Sequence, residues 1–162
     1  MKQQTFRAIW ISVLVILVVW IAWRTLVPFG TLSYSTDLTK SSYIFEDLLP
    51  AERVTDKRII IDEPVYFTVY TPRKFDTAIV TMRFSEPTPA FALGVAHNRA
   101  QWIYDFKQVT ENSRELTLEF DLRSAERRKG RYSFMISNPE IQKQLKKINI
   151  EDIKVQFIGP LL

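Results

Sequence analysis

The chain is expected to be mainly β: an antiparallel β-sandwich or jelly roll preceded by a single N-terminal transmembrane helix. Three observations predict this. Residues 8–23 form the apolar run AIWISVLVILVVWIAW, broken only by Ser12. From Arg58 onward, short runs alternate apolar and polar residues with period two, as strands with one buried face do. Turn-forming residues separate those runs at the regular spacing of sandwiches and barrels.

A spanning helix needs roughly 20 apolar residues, each rising about 1.5 Å. The strict run is short of that. Continuing it through Arg24, Thr25, Leu26 and Val27 to Pro28 supplies the missing turn, with the Arg24 guanidinium snorkelling to the headgroups. Trp10 stands near one end, and Trp20 and Trp23 near the other, where aromatic belts meet the lipid–water interface. Residues 8–28 are therefore expected to be a signal anchor. A cleaved signal peptide would instead need an apolar core of about 7–15 residues and a small-x-small site. This chain has Ile21-Ala22-Trp23 there. Residues 1–7 carry Lys2 and Arg7 with no acid, whereas Gly30 to Glu52 carries Lys40 against Asp37, Glu46, Asp47 and Glu52. Positive flanks stay inside, so a cytoplasmic N-terminus and an extracytoplasmic C-terminal domain follow, in the cell (plasma or inner) membrane.

Residues 29–57 form a juxtamembrane segment too apolar for a flexible stalk, with Tyr34, Leu38, Tyr43, Ile44, Phe45, Leu48 and Leu49. Ile44 with Leu48, and Phe45 with Leu49, have helical spacing, and Pro50 ends the stretch. It is either a short helix or strand packed on the domain, or an amphipathic piece on the bilayer. Glu46 and Asp47, repelled by anionic lipid, favour the former.

Residues 58–162 make the extracytoplasmic sandwich. RIII is a β-branched run, and Pro64 opens VYFTVYT. In DTAIVTMRF, Ala78, Val80, Met82 and Phe84 share a face. FALGVA follows, then QWIYDFK, with Trp102, Tyr104 and Phe106 on one side. RELTLEFD turns Leu116, Leu118 and Phe120 inward. GRYSFMIS does the same with Tyr132, Phe134 and Ile136, and INIEDIKVQFI with Ile153, Val155 and Phe157. That is about eight strands in roughly 100 residues, the density of a sandwich. The one helical candidate is Glu140 to Lys147, after Pro139.

The closing order of an alternating strand, GRYSFMIS, a short polar excursion and INIEDIKVQFI, over roughly Arg114 to Ile158, resembles the end of galactose-binding-like jelly-roll domains. The resemblance implies the fold, and many of those domains bind carbohydrate at the cell surface. It carries over no ligand residue.

Composition narrows the chemistry. The chain is +4, but Lys2, Arg7 and Arg24 supply three of those charges. From Gly30 onward, 19 Lys or Arg face 18 Asp or Glu. The outer domain is thus nearly neutral, and the high pI gives no ground for a nucleic-acid partner. With no cysteine, disulfides, thiol catalysis and Cys-based zinc sites are excluded. No Asn is followed by the x-Ser/Thr of a glycosylation acceptor. These absences lean toward a bacterial or archaeal envelope.

No catalytic constellation is visible, so an enzyme is not expected; a hydrolase of envelope glycans is the distant alternative. His97, the only histidine, is expected in a solvated loop, AHNRAQ. No G-x-S-x-G elbow occurs. Asp62-Glu63 and Glu151-Asp152 suit turns and edges, or a structural calcium ion at a sandwich end; no other cofactor is expected. Two groups remain as ligand-binding candidates. Arg127, Arg128, Lys129 and Arg131 surround Gly130 in a turn: a solvated hairpin loop, or a contact for anionic lipid, a phosphorylated glycan or an acidic protein. Trp102 and Tyr104, in a row with Phe106, either belong to the core or form an exposed platform for sugar rings; alternation favours the core. Tyr66, Phe67 and Tyr70 share that ambiguity. Two functions follow. The first is a noncatalytic interaction or scaffold subunit of a cell-envelope complex, with the membrane and an envelope protein as partners. The second is a membrane-anchored carbohydrate-binding module, with a glycan as partner.

Overall fold

The computed structural model describes residues 10–21, 31–36 by backbone alone, 43–56, 58–138 and 147–159. Residues 10–21 are an α-helix with every side chain exposed. At about 1.5 Å per residue it is roughly 18 Å long. The rest of the expected span 8–28 lies outside the described residues. Among the described residues no helix is long and apolar enough to cross a membrane. The helix belongs to one compact unit, and Thr31–Pro160 forms another.

That second unit is an antiparallel two-sheet sandwich. Sheet I orders β3 (Val54–Thr55), β4 (Ile59–Ile60), β12 (Ile148–Ile158), β6 (Thr77–Phe84) and β9 (Glu115–Asp121). β1 (Thr31–Thr36) pairs with the second half of β12, on the flank whose first half holds β4. Sheet II orders β2 (Phe45–Leu49), β5 (Val65–Tyr70), β11 (Arg131–Ser137), β7 (Phe91–Asn98) and β8 (Ile103–Val109). The short β10 (Arg127–Arg128) pairs with the first two residues of β11. The chain passes repeatedly from one sheet to the other, an order compatible with a jelly roll.

The core fills the space between the sheets. Sheet I contributes Ala78, Val80, Met82, Phe120, Ile153, Val155 and Phe157; sheet II contributes Phe67, Val69, Leu93, Val95, Tyr132, Phe134 and Ile136. These are the faces that alternation predicts for β6, β9, β11 and β12. Phe134 stacks on Phe67 at 5.0 Å and meets Phe120 edge-on at 5.9 Å, joining the layers. The buried Tyr132 hydroxyl accepts from the Phe75 amide at 3.2 Å, so this ring enters the core with its polar atom satisfied.

Three strands fall within the segment expected to lie between membrane and domain, and each pairs into the sandwich. Residues 45–49 are a strand, so the helical pairing of Ile44 with Leu48 and Phe45 with Leu49 does not occur. Instead Phe45 and Leu48 are buried. A register shift between Glu46 and Leu49 adds one residue against β5 and resets the alternation by one. The helical turn expected over Glu140 to Lys147 lies outside the described residues, save Lys147, which is not helical.

Candidate ligand-binding face

The outer face of sheet II is built by a few register rows. Thr68 pairs with Glu46 and Ser133, and Ala96 with Tyr104. In the next row Tyr66 pairs with Leu49 and Met135, and Gly94 with both Met135 and Phe106. β7 therefore sends large residues inward (Phe91, Leu93, Val95) and small ones outward (Ala92, Gly94, Ala96). The aromatic rings of β8 lie in the space those small residues leave. A Cβ on Gly94 would stand 2.6 Å from the Phe106 ring. Tyr104 and Phe106 stack at 5.7 Å.

This overturns the expectation that Trp102, Tyr104 and Phe106 are core. Tyr104 and Phe106 point away from the core, Phe106 is 40% exposed, and Trp102 is 66% exposed. β8 is an edge strand, and its inward positions carry Asp105 and Lys107 beside Val109. Of the other ambiguous aromatics, Phe67 is buried core, whereas Tyr66 and Tyr70 face outward and are half-buried. Met135 also points outward yet is only 8% exposed, in the register row of Tyr66, Gly94 and Phe106.

Trp102 follows a single 3-10 turn, Arg99–Gln101, capped by the Asn98 side chain accepting from the Gln101 amide at 3.1 Å. Its φ is +59°, in the left-handed region. Its ring meets the Tyr66 ring at 6.2 Å, and the Arg99 guanidinium lies over that same Tyr66 ring, 6.0 Å from its centre. Trp102, Tyr66 and Arg99 are thus consecutive contacts.

Arg99 also lines a cleft of about 240 Å³ with Glu126, Arg128, Lys129 and Arg131, above Thr68, Ala96 and Ser133, with Glu46 at its side. The basic cluster expected from sequence splits here. Arg127 is structural: its guanidinium donates to the Thr71 hydroxyl at 3.0 Å and to the Thr71 carbonyl. Arg131 donates to the Thr68 hydroxyl at 3.3 Å and the Tyr43 carbonyl at 2.9 Å. Arg128 and Lys129 are exposed, and among the described residues their side chains have no hydrogen bond or ion pair. The two acids are engaged by other residues of the cleft. Glu46 accepts from Thr68 at 2.5 Å, and Glu126 from the Arg99 amide at 2.6 Å.

One polar atom beside the cleft is unsatisfied: the Tyr66 hydroxyl is buried without a hydrogen-bond partner among the described residues. Ser133 is 7% exposed, and its hydroxyl interacts with the Tyr104 phenol, which also lies buried. Burial pushes the Tyr104 phenol above its ordinary range, with Arg99 pulling the other way. Burial also raises Tyr66, and Tyr104 adds to the rise. Both phenols therefore stay neutral donors well into the alkaline range.

Other features are less suited to a ligand. A hollow of about 380 Å³ beyond Phe106 is lined by Ala90, Phe91, Ala92, Gln108 and Ser137, with little charge. A third, about 420 Å³, gathers Asp76, Glu119 and Asp121 against Lys107 and Arg123, but Arg123 is spent on Asp121 at 2.6 Å. His97 is in β7, where it is the extra residue of a bulge, and not in a solvated loop; its Nε2 is buried without a partner. Among the described residues no three His, Asp or Glu gather as a metal site requires. At the acidic pairs considered for calcium, Glu63 accepts from Ser137 at 2.7 Å, and Asp152 lies opposite Arg83. Sequence reasoning missed Arg99, Glu46, Thr68, Glu126 and Ser133. The small-residue alternation of FALGVA was the available signal that β7 has a face meant to be covered.

No family model matches the chain, and no curated protein sequence matches it.

Proposed function

We propose that the chain is a membrane-anchored, noncatalytic carbohydrate-binding module that takes its glycan on the outer face of sheet II. The observation that carries this is Trp102, held outside the core beside Tyr66 and continuous with a polar cleft. Indole and phenol faces stack on the apolar faces of sugar rings, while hydroxyl-rich clefts satisfy sugar hydroxyls. The volume of the cleft is below the roughly 300–1,000 Å³ of drug-sized sites. It suits one residue of a polymer lying across the surface. The C-terminal likeness to galactose-binding-like domains agrees with this use of the fold. The anchor is the 8–28 span, whose apolar residues 10–21 are exposed along the whole helix. It keeps the module close to the envelope.

A scaffold role toward an envelope protein is favoured by Leu49, 43% exposed at the opposite edge of the same face. Against it, the centres of protein interfaces are depleted in Lys and Glu, and this cleft holds both.

The test uses the full chain in detergent with Trp10, Trp20 and Trp23 replaced by Phe, so that Trp102 alone emits. Red-shifted emission, readily quenched by acrylamide, is the expected result. A glycan-array screen then follows, with Trp102→Ala as the control. A blue, protected emission would bury the ring and remove the platform.

A further inference from the structure

Four described residues other than glycine have positive φ: Asp56, Trp102, Asn112 and Lys129. Asp and Asn are the types that tolerate this backbone; a bulky aromatic or a lysine there is costly. Lys129 lines the cleft, and Trp102 is joined to it through Tyr66 and Arg99. Lys129 (φ +50°) and Gly130 (φ +80°) form the two-residue turn between β10 and β11. Such turns prefer Asn-Gly or Gly-Gly. Gly130 is required twice over, since a Cβ there would also stand 2.8 Å from the Tyr70 ring. Nothing local requires lysine at 129. Its side chain projects from a strained position, unpaired, at the cleft.

The charges sum the same way. Arg99, Arg128, Lys129 and Arg131 face Glu46 and Glu126, and no ion pair joins the two sets among the described residues. The floor contains Ser133, nine-tenths buried, whose hydroxyl interacts with the Tyr104 phenol and keeps hydrogen-bonding capacity toward the cleft. The exposed Arg128 and Lys129 side chains, with Arg131 held beside them, match the oxygens of a carboxylate or sulfate.

We propose that the cleft binds the anionic substituent, a carboxylate or sulfate, of an acidic saccharide whose neighbouring ring rests on Trp102. This rests on the carbohydrate-binding assignment and names the class of glycan. Lys129 and Arg128 supply the mobile charges, Arg131 the fixed one, and Ser133 a hydrogen bond at the floor. Arg99 links the anion site to the stacking site through Tyr66. The contacts of 6.0 and 6.2 Å that connect them keep both within reach of adjacent sugar units.

The experiment uses the same full-length, Trp102-only chain in uncharged detergent. Its emission is titrated with an oligogalacturonate tetramer, a heparin tetrasaccharide, neutral chitotetraose, and vesicles of phosphatidylglycerol. At least one acidic oligosaccharide should saturate at a concentration about tenfold or more below the neutral one. Binding should weaken severalfold as salt is raised across the range in which the Debye length shrinks from about 10 Å to a few Å. Lys129→Gly relieves the turn and keeps the fold, and should weaken acidic binding about threefold or more. Ser133→Ala should weaken it too, at nearly unchanged stability. If neutral and acidic sugars bind alike and Lys129→Gly has no effect, the acidic ligand is refuted while the sugar platform stands. If no sugar changes the emission, both fall. Binding to the vesicles alone would reassign the cations to lipid headgroups and overturn the proposal.

Discussion

The outer faces of the two sheets are made to different rules. On sheet I, polar residues stand opposite partners that satisfy them. Thr81 and Thr117 share a hydrogen bond at 3.2 Å, Arg83 lies between Glu115 and Asp152, and Lys154 stands opposite Thr81. Cross-strand pairs of this kind are what a solvated sheet surface needs. On sheet II, the rows hold small residues, aromatic rings and the unpartnered Tyr66 hydroxyl. The first face is complete in water. The second leaves apolar area exposed at Trp102, Phe106 and Leu49.

The largest test of that difference is at Gly94. Gly94→Ala places a methyl group 2.6 Å from the Phe106 ring, so the ring must leave its seat. The expected loss is about 1–3 kcal/mol, typical of overpacking. The matched change on sheet I, Thr81→Ala, should cost under about 1 kcal/mol, since it breaks one exposed cross-strand pair. Urea denaturation of both variants measures the gap, and equal losses would erase the distinction between the faces.

A smaller effect is expected at Ser133. Its buried hydroxyl interacts with the Tyr104 phenol, so its removal trades a desolvation cost against that contact. Ser133→Ala should change stability by under about 1 kcal/mol. Weaker ligand binding at nearly unchanged stability is the signature of a residue kept for contact rather than for folding. A loss as large as that of Gly94→Ala would make the Ser133–Tyr104 contact a structural one.

The smallest effect belongs to sheet I. Side-chain and backbone hydrogen bonds with Arg123 hold the exposed Asp121 carboxyl at about 2. A depressed carboxyl stabilises the fold above its unfolded pKa and loses that contribution as pH falls toward 2. Solvent screens this exposed pair, so the effect on stability is slight. An NMR titration should find Asp121 still ionised near pH 3, and Arg123→Ala should raise it part of the way toward the ordinary carboxylate range, since the amide of residue 123 still donates to it.

Legibility in the sequence follows the same division. On β6, β9, β11 and β12, alternation alone locates the core, because one face is dry and the other wet. On β8 it locates the two faces but inverts them. That strand lies at the edge of sheet II, and its outward rings are seated by Gly94 and Ala96 on the neighbouring strand. No pattern within QWIYDFK contains this, since the seat is on another strand. β2 left helix and strand open for a different reason: Ile44 with Leu48, and Phe45 with Leu49, imitate helical spacing, and the bulge between Glu46 and Leu49 hides the period-two alternation. The cleft was half legible. The basic turn stands out as composition, but Ser133, Thr68, Glu46 and Arg99 come together only through strand pairing. That Arg127 serves the Thr71 loop while Arg128 stays free is equally a matter of register.

Lys107 has a consequence for how copies of this chain coexist. It points inward from the edge strand β8, with its ammonium 5.8 Å from the centre of the Phe120 ring. A second chain adding a strand alongside β8 would extend the sheet and seal that charge from water. An inward lysine on an edge is a known guard against such lateral growth. With its aromatic rings outside and its charge inside, β8 can display a sticky face while its open edge resists fibre-like stacking.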